Sequence, residues 1–256
     1  HAARRLLFVL TCPNTPAPPG NSTTAGDAAL RLFISDSYSN ATATTGNITT
    51  AGHNAPALYI TDSDSNTTTL TGNITTAGDT AYGLLLFGGD SNTTNLTGNI
   101  STEGVPASGL YFYDSDNNTT NLTGNITTAG DISRGLLLRD SDRNTITING
   151  NIITSGTDGD SEPILVENSN SNTFTLSGAV HSLGGDQAIT VNAGVGRTSQ
   201  NNTFSFSEGA YVIGGFNNAG TNTILTNQGT IDSITNSGSI ATFNNAQTGA
   251  TYSGTL

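Results

Sequence analysis

Short apolar runs recur along this chain at a constant distance, and each is followed by a Thr-rich stretch that carries single Leu and Ile residues. One unit, from Gly83 to Gly109, reads GLLLFGGDSNTTNLTGNISTEGVPASG. The glycine that opens the heptapeptide GNITTAG, or a variant of it, stands at positions 20, 46, 72, 98, 124, 150 and 178. The period is therefore about 26 residues, with one longer step, and a sustained period of this size is typical of solenoids and similar arrays.

Each unit contains three strand signals separated by Gly, Asn and Asp. In the unit above they are residues 84–86, 93–97 and 99–102. Runs of this length between turn residues favour strands, and no helical period lies between them. Three strands per unit predict an all-β fold, a parallel β-helix (solenoid) in which each strand pairs with its equivalent one turn later.

Two aliphatic columns are predicted to point inwards when the units are stacked. They contain Leu70, Leu96, Leu122, Ile148, Leu176 and Phe206, and Ile48, Ile74, Ile100, Ile126, Ile152 and Val180. Each buried side chain of this kind contributes about 1.5–3 kcal/mol. A charge at Leu96 or Ile100 is therefore expected to disrupt several neighbouring coils.

The register divides the chain into three parts. Residues 1–19 are expected to be an irregular N-terminal segment with a Pro-rich linker, residues 20–224 a β-helix of 26-residue coils, and residues 225–256 its continuation. In this last part Asn227, Asn236 and Asn245 recur every nine residues, which we interpret as about one third of a coil. Residues 157–162 and 192–200 lengthen two turns and are expected to form protruding loops, where specificity often lies.

The N-terminal residues RRLLFVL resemble the charged and apolar parts of an export signal, but the apolar run is short. We favour an imperfect first coil followed by the linker. Because the chain begins with His instead of Met, we expect it to be a piece of a longer protein. Cys12 is the only cysteine, so an internal disulfide and a zinc cluster are both excluded.

The charge of the chain narrows the classes of partner that it could bind. Charged residues are 10% of the sequence, and seven Arg without any Lys face 19 acids, which gives a net charge of -12. Nucleic acid is disfavoured, because phosphate binding needs basic residues that displace counterions. Low hydrophobicity could also indicate disorder, but the apolar residues occupy the same slots in every unit.

Acidic residues cluster at the corner before the second strand, in the form DxDxN. The pairs are Asp62 with Asp64, Asp114 with Asp116, and Asp140 with Asp142. Alternating oxygen ligands suit a hard cation, so these six are candidate calcium ligands. The Gly and distal Glu of a full EF-hand loop are missing, and the alternative is a solvated turn.

An Asn follows each acidic corner. The column contains Asn40, Asn66, Asn92, Asn118, Asn144, Asn172 and Asn202. Asn tolerates a left-handed corner, and stacked amides can bond along the axis, so we expect a structural role. Glycosylation is the alternative, since Asn66 and Asn73 fit the acceptor pattern, as many Asn residues in a Thr-rich repeat do.

The outward side of the second strand forms a regular array of Thr and Asn. If Leu96 points inwards, its alternate neighbours point outwards. The candidate contact residues are Thr67, Thr69, Thr71, Thr93, Asn95, Thr97, Thr119, Asn121 and Thr123. This array resembles the ice-binding face of certain antifreeze proteins, whereas the plainer interpretation is that Thr suits a solvated strand.

Catalysis is not expected. Sugar lyases and hydrolases also use parallel β-helices of the pectin-lyase-like fold, and they need a carboxylate pair or a carboxylate cluster with a basic residue. Asp114, Arg139, Asp140 and Arg143 could lie together, but these positions repeat as ordinary corner residues. No cofactor other than a calcium ion is suggested.

The GNITTAG coils, their SDxNT corners and the NxGxI pattern from Asn227 to Ile240 resemble the passenger domains of bacterial autotransporters. The resemblance covers residues 20–256 and implies a right-handed β-helix at the bacterial outer surface, followed in the full-length protein by an outer-membrane barrel. We therefore expect an extracellular structural stalk or adhesin that contacts a host or neighbouring cell surface or extracellular matter. A free secreted β-helix that binds ice or acts on polysaccharide is the alternative.

Overall fold

The computed structural model describes residues 8–10, 20–245 and 251–252, and this part of the chain contains strands and turns but no helix. In chain order the strands are β1 Phe8–Leu10, β2 Ser22–Thr24, β3 Leu32–Ser35, β4 Ala41–Thr45, β5 Ile48–Thr50, β6 Leu58–Thr61, β7 Thr67–Thr71, β8 Ile74–Thr76, β9 Leu84–Phe87, β10 Thr93–Thr97, β11 Ile100–Thr102, β12 Leu110–Tyr113, β13 Thr119–Thr123, β14 Ile126–Thr128, β15 Leu136–Arg139, β16 Thr145–Asn149, β17 Ile152–Thr154, β18 Ile164–Glu167, β19 Thr173–Leu176, β20 Ala179–Ser182, β21 Ile189–Asn192, β22 Thr203–Phe206, β23 Tyr211–Ile213, β24 Phe216–Asn218, β25 Thr223–Asn227, β26 Thr230–Ile231, β27 Ile234–Asn236, β28 Ile240–Asn245 and β29 Thr251–Tyr252.

The strands form three parallel sheets that run along one axis. Sheet A is β1-β3-β6-β9-β12-β15-β18-β21-β24-β27, sheet B is β4-β7-β10-β13-β16-β19-β22-β25-β28, and sheet C is β2-β5-β8-β11-β14-β17-β20-β23-β26-β29. A full coil uses one strand of each sheet, and Leu96 of β10 faces Leu70 of the preceding coil and Leu122 of the following coil. The predicted parallel β-solenoid with three strands per 26-residue coil is confirmed.

Both predicted aliphatic columns lie in the core. Leu96 is 4% exposed and Ile100 is 2% exposed, and the other members of their columns are equally buried. Sheet A adds two further inward positions per strand, such as Leu84 and Leu86. The alternation of buried and exposed positions along each strand follows from the period of two in a pleated strand.

The composition of the core changes along the axis. One inward column of sheet B reads Thr42, Thr68, Thr94 and Thr120, and it continues as Ile146, Phe174 and Phe204. The rings of Phe174 and Phe204 stack with their centroids 4.5 Å apart. The N-terminal coils are therefore more polar inside than the C-terminal coils.

Close backbone stacking at the corner between sheets B and C explains the repeated glycine. Gly98 has a φ of +137°, and a Cβ there would lie 2.2 Å from the carbonyl oxygen of Gly72 in the preceding coil. Real side chains do not reach such a separation, so a side chain at Gly98 would force the backbone of the two coils apart.

The two lengthened turns are present where expected, after β17 and after β21. The interpretation of the nine-residue pattern as one third of a coil is, however, wrong. Phe216 faces Ile234 on sheet A and Asn227 faces Asn245 on sheet B, a spacing of 18 residues, so two copies make one coil. The coil shortens because turns of two or three residues around β26 and β27 replace turns of up to seven residues in the regular coils.

The N-terminal segment contributes one element to the solenoid. Strand β1 pairs with β3, Phe8 facing Leu32, as an imperfect first coil requires. The first half of the RRLLFVL segment, Cys12, the linker at 11–19 and the residues after Asn245 other than β29 lie outside the described residues.

Candidate functional site

The Thr and Asn array lies on the outer side of sheet B. The structure places all nine candidate contact residues on β7, β10 and β13, in register, with their side chains exposed or half-buried. Asn95 and Asn121 are joined by a hydrogen bond of 2.9 Å between their side chains, from Nδ2 of Asn121 to Oδ1 of Asn95. The face is thus a regular hydroxyl surface that an amide ladder interrupts.

The acidic corners lie at the junction of sheets A and B, and they are built by backbone conformation. Asp62, Asp114 and Asp140 all adopt the left-handed region, with φ between 46° and 51°. Among residues other than glycine, Asp and Asn adopt this region most readily, because their side chains can hydrogen-bond the local backbone. Their side chains are exposed or half-buried.

The second Asp of each corner accepts a hydrogen bond from the backbone of the next coil. Oδ1 of Asp64 accepts the backbone N–H of Asp90 at 2.8 Å, and Oδ1 of Asp116 accepts that of Asp142 at 2.6 Å. Oδ1 of Asp142 likewise accepts the backbone N–H of Asn170. One oxygen of each carboxylate is therefore committed to a ladder along the axis.

Arginines form ion pairs with some of the corner carboxylates. Arg143 lies 2.8 Å from Oδ2 of Asp116, and Arg197, in the long loop after β21, pairs with Asp140. Arg139 pairs instead with Glu167 at 2.5 Å. Among the described residues no group of three or more His, Cys, Asp or Glu side chains is arranged to hold a metal. Calcium binding stays a prediction, and these contacts show which carboxylate oxygens it would compete for.

The Asn column forms a buried ladder inside the same corner. Asn66, Asn92, Asn118, Asn144 and Asn172 are each 1% exposed or less. Oδ1 of Asn92 accepts the backbone N–H of Asn66, and its Nδ2 donates to the carbonyl of Ser63. A parallel ladder runs on the surface, where Asn73 accepts from the backbone of Asn99. The sequence signal for this second ladder is the recurring Asn of the GNITTAG heptapeptide.

An aromatic surface on the outside of sheet A was missed by the sequence analysis. We call it the aromatic cleft: Tyr59, Tyr82, Leu85, Phe87, Tyr111 and Tyr113, extended by Phe33. Tyr82 comes from the turn before β9, and its ring lies 5.2 Å from that of Tyr111. Phe87 and Tyr113 stack at 5.3 Å. The available signal was the middle residue of each apolar triplet, which must point outwards when its two neighbours point inwards.

The cleft contains two adjoining concavities of about 440 and 430 Å³, which share Tyr59, Tyr82 and Leu85. Burial raises the pKa of the Tyr82 hydroxyl, and the neighbouring Tyr111 raises it further. Burial also raises the pKa of Tyr111, although the adjacent Arg139 opposes this. Both hydroxyls therefore remain protonated donors at neutral pH.

Ion pairs lie beside the cleft on the following coils of sheet A. Arg134, in the turn before β15, contacts Glu162 at 3.1 Å, and Arg139, at the end of β15, pairs with Glu167. Burial raises the pKa of Glu162 despite its hydrogen bonds and Arg134. The charged pairs mark the end of the uncharged aromatic surface.

Within the described ranges, no helix is long and apolar enough to cross a membrane. Comparison of the chain with protein-family models, with curated proteins and with solved structures found no match.

Proposed function

We propose that this chain is a non-catalytic segment of a surface-displayed protein, a rigid β-solenoid that acts as a stalk and makes adhesive contacts through its long faces. The observation that carries the proposal is that corner side chains form hydrogen bonds from one coil to the next along the rod. The Asn92–Asn118 bond at 2.8 Å and the Asp90–Asp116 bond at 2.8 Å are two examples on the same corner. Such bonds resist bending and shear of one coil against the next.

The dimensions of the rod suit a spacer. Sheet B contains nine strands, which at about 4.8 Å per strand give a length on the order of 40 Å. The outward columns of sheet B present hydroxyl or amide groups on successive coils, such as Thr67, Thr93 and Thr119. Weak contacts of this kind gain avidity when several are made at once. The net charge of -12 keeps such a surface soluble and limits lateral association.

The resemblance to autotransporter passengers supplies the setting of this proposal. The rod would stand at a bacterial outer surface, attached through a barrel elsewhere in the full-length protein, and would contact a neighbouring cell or extracellular matter. The loop at 193–198, which is exposed throughout, would add contacts to those of the flat faces.

Adhesion is tested with beads that carry the purified chain on one terminus and are passed over bacterial and epithelial cell layers. We expect more beads to be retained than albumin-coated beads at equal density. A variant that lacks one whole coil, residues 98–123, keeps the register because it removes one full period. It also removes Thr119, Asn121 and Thr123 of the contact face, so beads coated with it should be retained less than beads coated with the full chain. Equal retention of coated and albumin beads would contradict the adhesive role.

Ice binding is a second candidate, favoured by the registered Thr columns of β7 and β10. The columns repeat at the spacing of parallel strands on a flat face. A freezing-hysteresis measurement on the purified chain tests it directly. Activity that is lost in Thr69→Tyr would support ice binding and would displace adhesion as the primary role.

A further inference from the structure

The aromatic cleft runs along the solenoid axis across several coils. Its rings come from β3, β6, β9 and β12 of sheet A, with Tyr82 from the intervening turn. Because the two concavities share Tyr59, Tyr82 and Leu85, they form one trough. A trough that crosses stacked strands suits an extended ligand with a repeating unit.

The polar groups of the cleft both donate and accept hydrogen bonds. They are the Tyr hydroxyls, together with Thr80 and Asn54 at the N-terminal end. Hydroxyls and amides of this kind match ligand hydroxyls, which also donate and accept. The half-buried rings provide apolar faces of the size that stacks on the C–H face of a sugar. Apolar walls with a few directional polar groups are typical of a ligand site.

The described lining of the cleft supplies no charged side chain to pair with an ionic ligand. Among the residues that the structure describes, no Asp, Glu or Arg lines either concavity. An anionic polysaccharide would meet the net charge of -12, and a cationic ligand would have no carboxylate partner among these lining residues. The arginine on the adjoining coil, Arg139, also bonds the Tyr111 hydroxyl, but its charge is paired with Glu167. A neutral ligand is the one that this lining accommodates.

From the trough, its hydroxyls and its lack of charge we infer that the aromatic cleft binds a neutral carbohydrate chain, with Tyr82 and Tyr111 as the stacking platform. This inference rests on the proposed function and names the ligand class of one contact face. A proline-rich peptide is the competing ligand of aromatic grooves, but its backbone offers only acceptors where the cleft offers groups of both kinds.

Tyrosine fluorescence reports this site directly. The chain has seven Tyr and no Trp, and Tyr59, Tyr82, Tyr111 and Tyr113 all line the cleft. The probes are cellohexaose and maltohexaose, with polygalacturonate and a proline decapeptide as comparisons. We expect saturable changes in tyrosine emission with a neutral hexasaccharide, matched by heat in calorimetry, and none with polygalacturonate.

The variants Tyr82→Ala and Tyr111→Ala should each raise the dissociation constant at least about tenfold, which corresponds to about 1.4 kcal/mol. Tyr82→Phe keeps the ring and should lose less. The matched control is Tyr211→Ala, which removes a half-exposed ring on sheet C and should bind as the parent does. Thermal unfolding of each variant confirms that the fold is intact.

Two results would overturn the inference: no response to either neutral hexasaccharide, or equal binding by Tyr82→Ala and Tyr211→Ala. Binding of the proline decapeptide alone would assign the cleft to peptides. If cell-coated surfaces retain the beads while the sugars fail to bind, only the ligand class is wrong. If the sugars bind and retention fails, the adhesive role is wrong and the carbohydrate site stands.

Discussion

The backbone N–H of Asn92 donates to Oδ1 of Asn118 in the next coil, at a distance of 2.8 Å. The same Asn118 side chain donates from Nδ2 to the carbonyl of Gly89 at 2.9 Å. One buried amide thus bonds the backbone on both sides of a corner where the chain leaves the sheet hydrogen-bonding pattern. The ladder satisfies polar groups that the turn would otherwise leave buried and unpaired.

Asn118→Ala is expected to lower the free energy of unfolding by about 2–4 kcal/mol, because it removes two buried hydrogen bonds and leaves their partners unpaired. The matched control is Asn125→Ala on the surface ladder, which loses one exposed bond to the backbone of Asn151 and should cost under about 1 kcal/mol. Urea unfolding followed by circular dichroism measures both. Equal losses would mean that burial of the ladder adds nothing.

Leu96→Ala is expected to cost about 2–5 kcal/mol, since it leaves a cavity in a column of stacked aliphatic side chains. Leu96→Asp should prevent the central coils from folding, because an unpaired charge would be buried among Leu70 and Leu122. Thr97→Asp places the same charge on the exposed side of the same strand and serves as the control. Hydrogen exchange of the neighbouring coils locates the damage, and protection that survives beside Leu96→Asp would contradict this view of the core.

Gly98→Ala separates steric collision from backbone strain. Its Cβ would meet the carbonyl of Gly72 at 2.2 Å, whereas a Cβ on Gly185, which has a φ of +93°, would have no described atom within 4 Å. Gly185→Ala should therefore cost about 1–3 kcal/mol from strain alone. Gly98→Ala should cost clearly more, or fail to fold, in the same unfolding assay. Similar losses in the two variants would show that the glycine column is needed only for its φ angle.

Thr94→Val is expected to leave stability unchanged or to raise it by about 1 kcal/mol, because the buried Thr94 hydroxyl has no hydrogen-bond partner among the described residues. Thr128→Val is the opposite case, since that hydroxyl donates to the carbonyl of Ser133 at 2.9 Å. It should lower stability by about 1–3 kcal/mol. A loss in Thr94→Val as large as in Thr128→Val would indicate that the inner Thr column makes bonds that matter to the fold.

The fold was predictable because its determinants repeat. Leu96 and Ile100 stand in columns that recur in coil after coil of the sequence, and a period of two within each strand then assigns inside and outside. The same logic failed where turn length changed. Asn227 and Asn236 look equivalent in the sequence, but short turns place them on different sheets, B and A.

The aromatic cleft was missed because most of its positions repeat while its residue types do not. Tyr82 lies in a turn, Tyr59 and Tyr111 are middle residues of triplets two coils apart, and Leu85 stands between them. The stacking of coils places these residues in one column, and Tyr82 joins them from the adjacent turn. The acidic corners repeat regularly in the sequence, but their role was not evident from it. In the structure their second Asp accepts a hydrogen bond from the backbone of the next coil.

Tyrosine titration tests the environment of the cleft. Burial holds the pKa of Tyr82 and Tyr111 above the ordinary value of 10.0, so part of the tyrosine absorbance change should come only above that value. Because the folded-state pKa is raised, the stabilising contribution is complete below the unfolded value of 10.0 and is lost as pH rises through the folded value. The absorbance of tyrosinate, measured against pH, should show a late component that Tyr82→Phe reduces, and stability should fall less steeply with alkaline pH in that variant. A single transition near the ordinary value, unaltered by Tyr82→Phe, would show that water reaches the ring hydroxyls freely and that the cleft is not the partly desolvated surface on which carbohydrate stacking depends.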